Sequence, residues 1–399
     1  MSTASATVSR WTRRFVAAGA CWLVLWSLAA LVGLPRRTEV TLALSGFVFH
    51  TLFGKAYALV PAYFDRELAV PRAPTVQLPL SVLGTLGLAA AGLPWVPGLV
   101  GASGAILWAT GVAVFLGTLA WTVRDNLAGA ETGTGDHDAA RRPVDRMANA
   151  AMPVAFAYLA VGTAVLVTAH TPVDAPFAYA PQRTHLFAAG TAALLVFSVG
   201  FRLLPRFFVA DPPKPLVAVA LSLGAGAPLI LALTLPAGPI FRFGATLEAL
   251  AVVAFALAVL WLVVESDRER VGRYGVVLGA LSGVAVVGLG LSFAFVGLDA
   301  ALVVTHYRVA LVGFLGLTIV GVATQFYPPA VGAFPVDADR LALGAMAALA
   351  SGLVVDAAGR LADQPTIATG GLALATLGTV GYAWLLLGIF RERARGGPA

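Results

Sequence analysis

Cysteine and charged residues are scarce in this sequence of 399 residues. Cys21 is the single cysteine, which excludes an intramolecular disulfide, a thiolate-bound iron–sulfur centre and a two-cysteine copper site. Charged residues make up only 12% of the chain, whereas soluble domains carry about 25%. The formal net charge of +6 is dispersed over short loops, so the sequence does not predict nucleic acid as a partner.

Apolar residues make up 59% of the chain and run in long continuous stretches. A β-barrel would need alternating polarity, and an open sheet could not satisfy its edges in lipid. The composition therefore predicts an all-α integral protein of the plasma membrane, with the lipid bilayer as its solvent. The first apolar stretch begins like a signal peptide. Its core is too long for one, and arginines follow without a clear cleavage site, so we expect a retained helix.

A membrane-spanning helix needs about 20 apolar residues, and the sequence contains twelve such stretches within one polytopic domain, residues 1–399. The loop GAETGTGDHDAARRPVDR, between the fourth and fifth stretches, is rich in Gly, Asp and Arg and is predicted to be flexible. We number the predicted helices 1 to 12, at residues 13–34, 39–63, 77–97, 102–123, 150–169, 183–208, 215–236, 243–264, 274–297, 303–329, 341–359 and 367–390.

The basic residues predict the orientation of these helices. With the N-terminus inside, eighteen of the 26 lysines and arginines fall on the inner side and six on the outer side, while Lys55 and Arg202 lie within helices. Cytoplasmic loops of membrane proteins carry such an excess of basic residues. The distribution therefore predicts an even number of helices, with both termini in the cytoplasm.

Helices 2, 6 and 10 resemble one another when they are aligned on a proline near their ends. A glycine then lies fifteen residues before each proline: Gly46 before Pro61, Gly190 before Pro205 and Gly313 before Pro328. The spacing indicates three four-helix units, at about residues 1–130, 145–265 and 270–399. Proline at a helix end and glycine at a packing face are also common in unrelated membrane helices, so coincidence is the alternative.

The histidines strengthen the repeat. Three of the five, His50, His185 and His306, fall on helices 2, 6 and 10, one on each. The predicted topology places all three in the outer half of the bilayer, where an imidazole is costly unless it is paired, ligated or hydrated. They could ligate haem iron or copper. The alternative is that His185 and His306 bind interfacial water and His50 a carbonyl group.

Two spacings resemble those of a known family. A proline follows His50 by eleven residues and His306 by twenty-two, as on helices II and X of haem–copper oxidase subunit I. That resemblance implies twelve helices in three four-helix arcs with pseudo-threefold symmetry, and haem as cofactor. His50 and His306 would then be ligands, His185 a substitute partner, Arg308 a neighbour of a haem propionate, and other membrane redox subunits the partners. The helix with His185 and Arg202 is also similar to those of the NnrS family.

The departures from the oxidase pattern limit the function that the resemblance implies. Arg308 stands where helix X of the family has its second histidine, and the stretch ALLVFSVG on helix 6 lacks the histidine that binds copper. Helix 7 also has no histidine pair. Copper and complete terminal-oxidase activity are therefore not expected. The remaining hypothesis is a haem-binding protein for redox or diatomic-gas (NO or O2) chemistry, and any enzyme activity would be that of a haem-dependent oxidoreductase.

Two other classes of function stay open. Glu248 is a carboxylate well inside an apolar run and is a candidate proton or cation site. A small-molecule or ion transporter could use Glu248, Lys55 and Arg202 along a path. An inert structural subunit would leave the histidines without a chemical role.

The predicted topology has a direct test. A reporter fused after Arg395 and a second one inserted beside Asp136 should both report a cytoplasmic location. A periplasmic or extracellular signal from either position would contradict the model of an even helix number with the N-terminus inside.

Overall fold

The computed structural model describes residues 3–170 and 179–395 of the protein. Within these ranges the chain is helical without strands, and twelve helices are long and apolar enough to cross a membrane, which confirms the predicted fold class. Helices 1 to 12 span Ala6–Leu31, Arg36–Tyr63, Ala73–Ala90, Gly98–Thr122, Asp136–Thr168, Ala180–Phe208, Lys214–Thr234, Pro239–Val264, Gly272–Phe295, Ala300–Phe326, Ala338–Leu361 and Pro365–Arg395.

The helix ends differ from the predicted ones where polar residues continue a helix beyond the apolar run. The helix that contains the first span begins at Thr3, before the span itself, and the regular part of helix 5 begins at Arg142. Arg10 and Arg146 lie in these extensions, and arginines are good helix formers that extend their charged ends toward water. Helix 3 ends earlier than predicted, at Ala90. Pro94 and Pro97 follow within seven residues and cannot continue a helix.

The loop between helices 4 and 5 was predicted to be flexible, but the structure shows it held by hydrogen bonds. The Asn126 side chain donates to the carbonyl of Glu131 at 2.9 Å, and the Gly133 amide donates to the carbonyl of Tyr63 at 3.3 Å. Arg66 donates to Asp125 at 3.0 Å and to Glu131. The hydrogen bond from Arg66 lowers the pKa of Asp125. These bonds fix the loop against the end of helix 2.

Helices 2, 6 and 10 form the interior of the bundle. In their most apolar windows 72, 83 and 78% of residues are buried, whereas the other nine spans have 28–56%. A helix that is apolar on all sides can be buried on all sides by its neighbours. The prediction that these three helices line the interior is therefore confirmed. The three also contact one another.

Each of the three central helices contains a π-helical segment at the same place. Each segment begins nineteen residues before the aligned proline and includes the aligned glycine. Such segments insert an extra residue into the helix turn and often occur at functional sites. The segments are Leu42–Val48, Leu186–Ala193 and Val309–Phe314. This shared irregularity is independent of the proline and glycine spacing and supports the internal repeat.

The aligned glycines pack against neighbouring helices, as predicted. A methyl group added at Gly46, Gly190 or Gly313 would lie 2.8, 2.5 or 3.1 Å from its nearest neighbour. The neighbours are, in order, Trp22 of helix 1, Tyr158 of helix 5 and Ser282 of helix 9. Each glycine therefore faces the first helix of its own four-helix unit. Helices 1 and 12, 4 and 5, and 8 and 9 also pack together.

Gly190 provides a test of this packing. Gly190→Ala should lower the melting temperature of the detergent-purified protein, because the new methyl group would meet the Tyr158 ring and overpacking costs about 1–3 kcal/mol. Gly226→Ala on helix 7 is the matched control, since nothing lies within 4 Å of its added Cβ. Equal melting temperatures for the two variants would show that the contact at Gly190 is not tight.

Candidate functional site

We call the end of the bundle that holds Val8 and Arg393 the terminal face. An apolar cavity of about 240 Å³ lies toward the other end, walled by helices 6 to 10 together with Arg36 of helix 2. Most of its lining is apolar, including Leu311, Phe314 and Val287. The polar side chains on its wall are Arg36, Tyr179, Thr184, His185, Glu248, His306 and Tyr307.

His185 and His306 face each other within this cavity. Their ring centroids lie 6.5 Å apart, and their planes are inclined by 22°. His185 Nδ1 lies 2.8 Å from the carbonyl oxygen of Pro181 and donates to it, which leaves Nε2 as the lone-pair nitrogen. Nδ1 of His306 is buried without a partner among the described residues. Phe293 packs edge-on against the His306 ring at 5.4 Å.

The separation of the two rings suits a shared metal ion. With metal–nitrogen bonds of about 2 Å, two imidazoles on opposite sides of one ion have ring centroids about 6 Å apart. No group of three or more His, Cys, Asp or Glu side chains in the described part of the chain comes together as a ready-made metal site. The pair could therefore hold a metal only if other ligands complete its coordination.

His50 lies outside the cavity that holds His185 and His306. It is fully buried, and its ring packs 6.1 Å from Phe15 and 6.0 Å from Trp22 of helix 1. Nδ1 donates to the carbonyl of Ser45, inside the π-helical segment, at 2.9 Å. Nε2 has no partner in the described ranges. Its tautomer is therefore fixed as that of a metal ligand, but His50 is not among the residues that line the cavity.

The predicted pairing of His50 with His306 is not the one that the structure brings together. His185 and His306 lie twenty and twenty-two residues before their aligned prolines, and His50 only eleven before its own. At 1.5 Å per residue, His50 is about 15 Å further along the membrane normal. The structure instead pairs His306 with His185, the residue predicted as a substitute.

Arg308 is held by two buried carboxylates. Its guanidinium group donates to Glu39 of helix 2 at 2.8 and 3.0 Å and to Asp356 of helix 11 at 3.0 and 3.1 Å. Tyr307 donates to Glu39 at 3.0 Å, and Arg360 donates to Asp356 at 2.9 Å. We call these five residues the ionic clasp. Because the clasp occupies Arg308, its guanidinium group is not free for an anionic ligand.

Arg36 is the cation that does line the cavity. It is exposed, its guanidinium carbon lies 5.3 Å from the centre of the Tyr307 ring, and it has no carboxylate partner among the described residues. Asp299, which lies nine residues before Arg308, caps helix 10 by accepting from the Leu302 amide at 2.9 Å.

Arg202 belongs to a second buried ion cluster, near the terminal face. It lies 3.5 Å from Asp145, donates to the Asn149 side chain at 3.2 Å and covers the Tyr63 ring at 4.4 Å. Arg206 donates to the same Asp145 at 2.9 Å. These contacts tie helix 6 to helices 5 and 2, which is a structural role.

The three groups of the transporter hypothesis lie in separate places. Glu248 lines the histidine cavity, with Oε2 buried and without a partner in the described structure. Arg202 is in the ion cluster. The Lys55 ammonium lies 3.5 Å from the Phe326 ring centre, at the terminal face. The structure does not bring the three onto a common path.

Sequence reasoning missed three residues that matter here. Asp145 was assigned to the loop because helix 5 was predicted to begin at residue 150, although it is fully buried on that helix. Helix 2 was predicted to begin at residue 39, so Arg36 was placed in the outer loop before it and Glu39 was not singled out. A signal for Glu39 was available, since it aligns with His306 when helices 2 and 10 are matched on their prolines.

The comparisons with known proteins bear on the fold. No known family matches the sequence, and no curated protein is similar to it. Among solved structures, a cryo-EM structure of a haem–copper terminal oxidase dimer is similar with a TM-score of 0.66 and 14% identity, over 100% of this chain and 85% of that one. This chain has a haem–copper oxidase subunit I-like fold. That confirms the predicted resemblance in architecture, while similarity to the NnrS family stays a prediction.

The ionic clasp can be tested by removing its shared cation. Arg308→Met should destabilise the purified protein by about 3–5 kcal/mol, because Glu39 and Asp356 would be left as buried, unbalanced carboxylates. The measurement is chemical unfolding in detergent. Arg395→Gln, which breaks the more exposed pair with Glu392, should change stability by no more than about 1 kcal/mol. Similar small effects of both changes would contradict a stabilising clasp.

Proposed function

We propose that this protein binds haem within the membrane, between His185 of helix 6 and His306 of helix 10, and uses it in redox or diatomic-gas chemistry. The observation that carries the proposal is the pair of imidazoles 6.5 Å apart in an apolar cavity. The oxidase-like fold supports it, since the similar solved structure is described as a haem–copper oxidase.

The donor set fits haem better than a bare metal ion. The porphyrin supplies four nitrogen ligands, so the protein needs to add only one or two axial ligands. Two histidines meet that need, in a chain whose described part shows no three-ligand cluster. The apolar walls of the cavity suit the faces of a porphyrin, and Phe293 packs beside His306.

Arg36 would replace Arg308 as the partner of a haem propionate. It lines the cavity, it is exposed at the start of helix 2, and no carboxylate of the described residues pairs with it. Arginine binds carboxylates through two parallel hydrogen bonds. Arg308 keeps a structural role in the clasp.

Copper is not part of the proposal. Helix 7, Lys214–Thr234, carries no histidine, cysteine or carboxylate in its sequence, although it contributes Leu231 to the cavity wall. Because helix 7 offers no side chain that binds copper, the proposal includes no second metal and no oxygen reduction of the oxidase type. The proposed activity is therefore electron transfer or gas binding, with other membrane redox subunits as the candidate electron partners.

The residues of the cavity have defined tasks in this proposal. Bound haem would supply redox chemistry at its iron, and binding of a diatomic gas there would require one of the two histidines to release it. The hydrogen bond from His185 Nδ1 to Pro181 fixes the ring orientation and directs Nε2 as the ligand. The apolar wall excludes water. Glu248 can hold a proton at Oε2, which has no hydrogen-bond partner among the described residues.

Absorption spectra of the purified protein, oxidised and reduced, test the proposal. Wild-type protein produced with ample haem should show a Soret band of the six-coordinate, low-spin type. His185→Ala and His306→Ala should each weaken the band or convert it to a high-spin type, because one axial ligand is lost. His137→Ala, in the exposed loop, is the matched control and should leave the spectrum unchanged.

His50→Ala separates this proposal from the pairing that the sequence predicts. If His185 and His306 are the ligands, His50→Ala should keep the haem spectrum. Loss of the spectrum in His50→Ala, together with its survival in His185→Ala, would move the site to helix 2. A folded wild-type protein without any Soret band would reject haem binding and leave the Glu248 cavity as a candidate cation site.

A further inference from the structure

A second cavity of about 450 Å³ opens at the terminal face, and we call it the vestibule. It lies where the ends of helices 1, 2, 10 and 12 meet, and residues 58–68 complete its wall. Its lining mixes apolar side chains with an excess of cations: Lys55, Arg66 and Arg393 against the single exposed carboxylate of Glu67. It shares none of its lining residues with the histidine cavity.

Lys55 lies at the base of the vestibule. Its ammonium group is 3.5 Å from the centre of the Phe326 ring and 4.3 Å from that of Tyr327. No carboxylate pairs with it in the described part of the chain. Aromatic faces attract a cation but supply no hydrogen-bond acceptor of carboxylate strength for its three N–H donors. Lys55 is half-buried, and an ammonium group that is partly removed from water without a counter-ion is costly.

A second cation at the vestibule lacks a partner. The Arg393 guanidinium carbon lies 5.4 Å from the centre of the Tyr327 ring, which Lys55 also approaches, and no ion pair with a described residue holds it. Arg66 differs, because Asp125 and Glu131 already neutralise it. The cations left without a partner are therefore Lys55 and Arg393.

We propose that the vestibule binds a phosphate-bearing anion, with Lys55 at its base and Arg393 at its mouth. An ammonium and a guanidinium group on either side of the Tyr327 ring suit the several oxygens of one phosphate group. An anion of this kind would supply the counter-ion that the described residues do not give Lys55. The inference does not depend on haem.

The phosphate can come from two sources. Basic pockets between membrane helices bind the headgroups of anionic lipids, and the apolar wall here, which includes Leu59, Leu68 and Phe326, could contact an acyl chain. A soluble phosphate compound would use the same donors without that contact. The charge pattern is common to both, and the experiment distinguishes them.

The test measures binding to the full-length detergent-purified protein by native mass spectrometry. Phosphatidylglycerol and phosphatidylcholine are the lipid probes, and inorganic phosphate is tested separately as a competitor and by thermal shift. Wild-type protein should retain phosphatidylglycerol in preference to phosphatidylcholine, or be stabilised by phosphate. Lys55→Gln and Arg393→Gln should each weaken binding about 10- to 100-fold, as expected when a charge-assisted hydrogen bond is lost.

Matched controls come from the same chain. Lys214→Gln removes the only other lysine, which is exposed at the start of helix 7, and Arg391→Gln removes an exposed arginine of helix 12. Both should bind like the wild type. Arg393→Gln keeps the proposal testable if Lys55→Gln does not fold, because Arg393 is only half-buried near the end of helix 12.

The outcomes distinguish a lipid headgroup from a soluble anion, and they show when the proposal is wrong. Retention of phosphatidylglycerol that phosphate does not displace assigns the site to a lipid headgroup, and stabilisation by phosphate itself assigns it to a soluble anion. The proposal is overturned if the wild type shows neither preference. It is equally overturned if Arg393→Gln binds as tightly as the two controls.

Discussion

A charged side chain inside a membrane must find its partner within the protein, because lipid offers none. This constraint produces the two ion clusters that join the helices. At one end Arg308 ties helix 10 to Glu39 of helix 2 and Asp356 of helix 11, and near the terminal face Asp145 of helix 5 holds Arg202 and Arg206 of helix 6. Removing one member of such a pair lowers the free energy of unfolding by more than the intact pair contributes to it, since the remaining charge stays buried. The positions of helices 6 and 10, and hence of the cavity between them, depend on these bonds.

The central helices show how a repeat in sequence becomes a repeat in geometry. The glycines at Gly46, Gly190 and Gly313 allow close approach to helices 1, 5 and 9, and each lies inside a π-helical segment. A π segment changes the rotation between the residues before it and those after it. His185 comes directly before such a segment and His50 shortly after one, so the two histidines do not occupy equivalent places in the repeat.

Much of the fold could be predicted because lipid imposes a simple rule, namely long apolar helices with few charges. The twelve spans, the interior place of helices 2, 6 and 10 and the contacts of their glycines all follow from that rule and from proline spacing. The site was harder, because it depends on rotation about each helix axis and on depth. Glu39 and Asp145 were missed since they lie at the polar ends of helices, where a sequence shows no difference between a solvated carboxylate and a buried one. The pairing of His185 with His306 could not be predicted for the same reason, because it depends on the rotation of each helix about its axis and on the depth of each histidine.

His306 and Arg308 lie two residues apart on helix 10, and they connect the cavity with the ionic clasp. Two residues apart on a helix differ by about 200°, so His306 and Arg308 point to opposite sides of helix 10. His306 faces helix 6, and Arg308 faces helices 2 and 11. A direct salt bridge to Glu39 of helix 2 stands on the Arg308 side, and rings from helix 1 pack around His50. The ion pair therefore closes one side of helix 10, and the cavity in which His185 lies opposite His306 is on its other side.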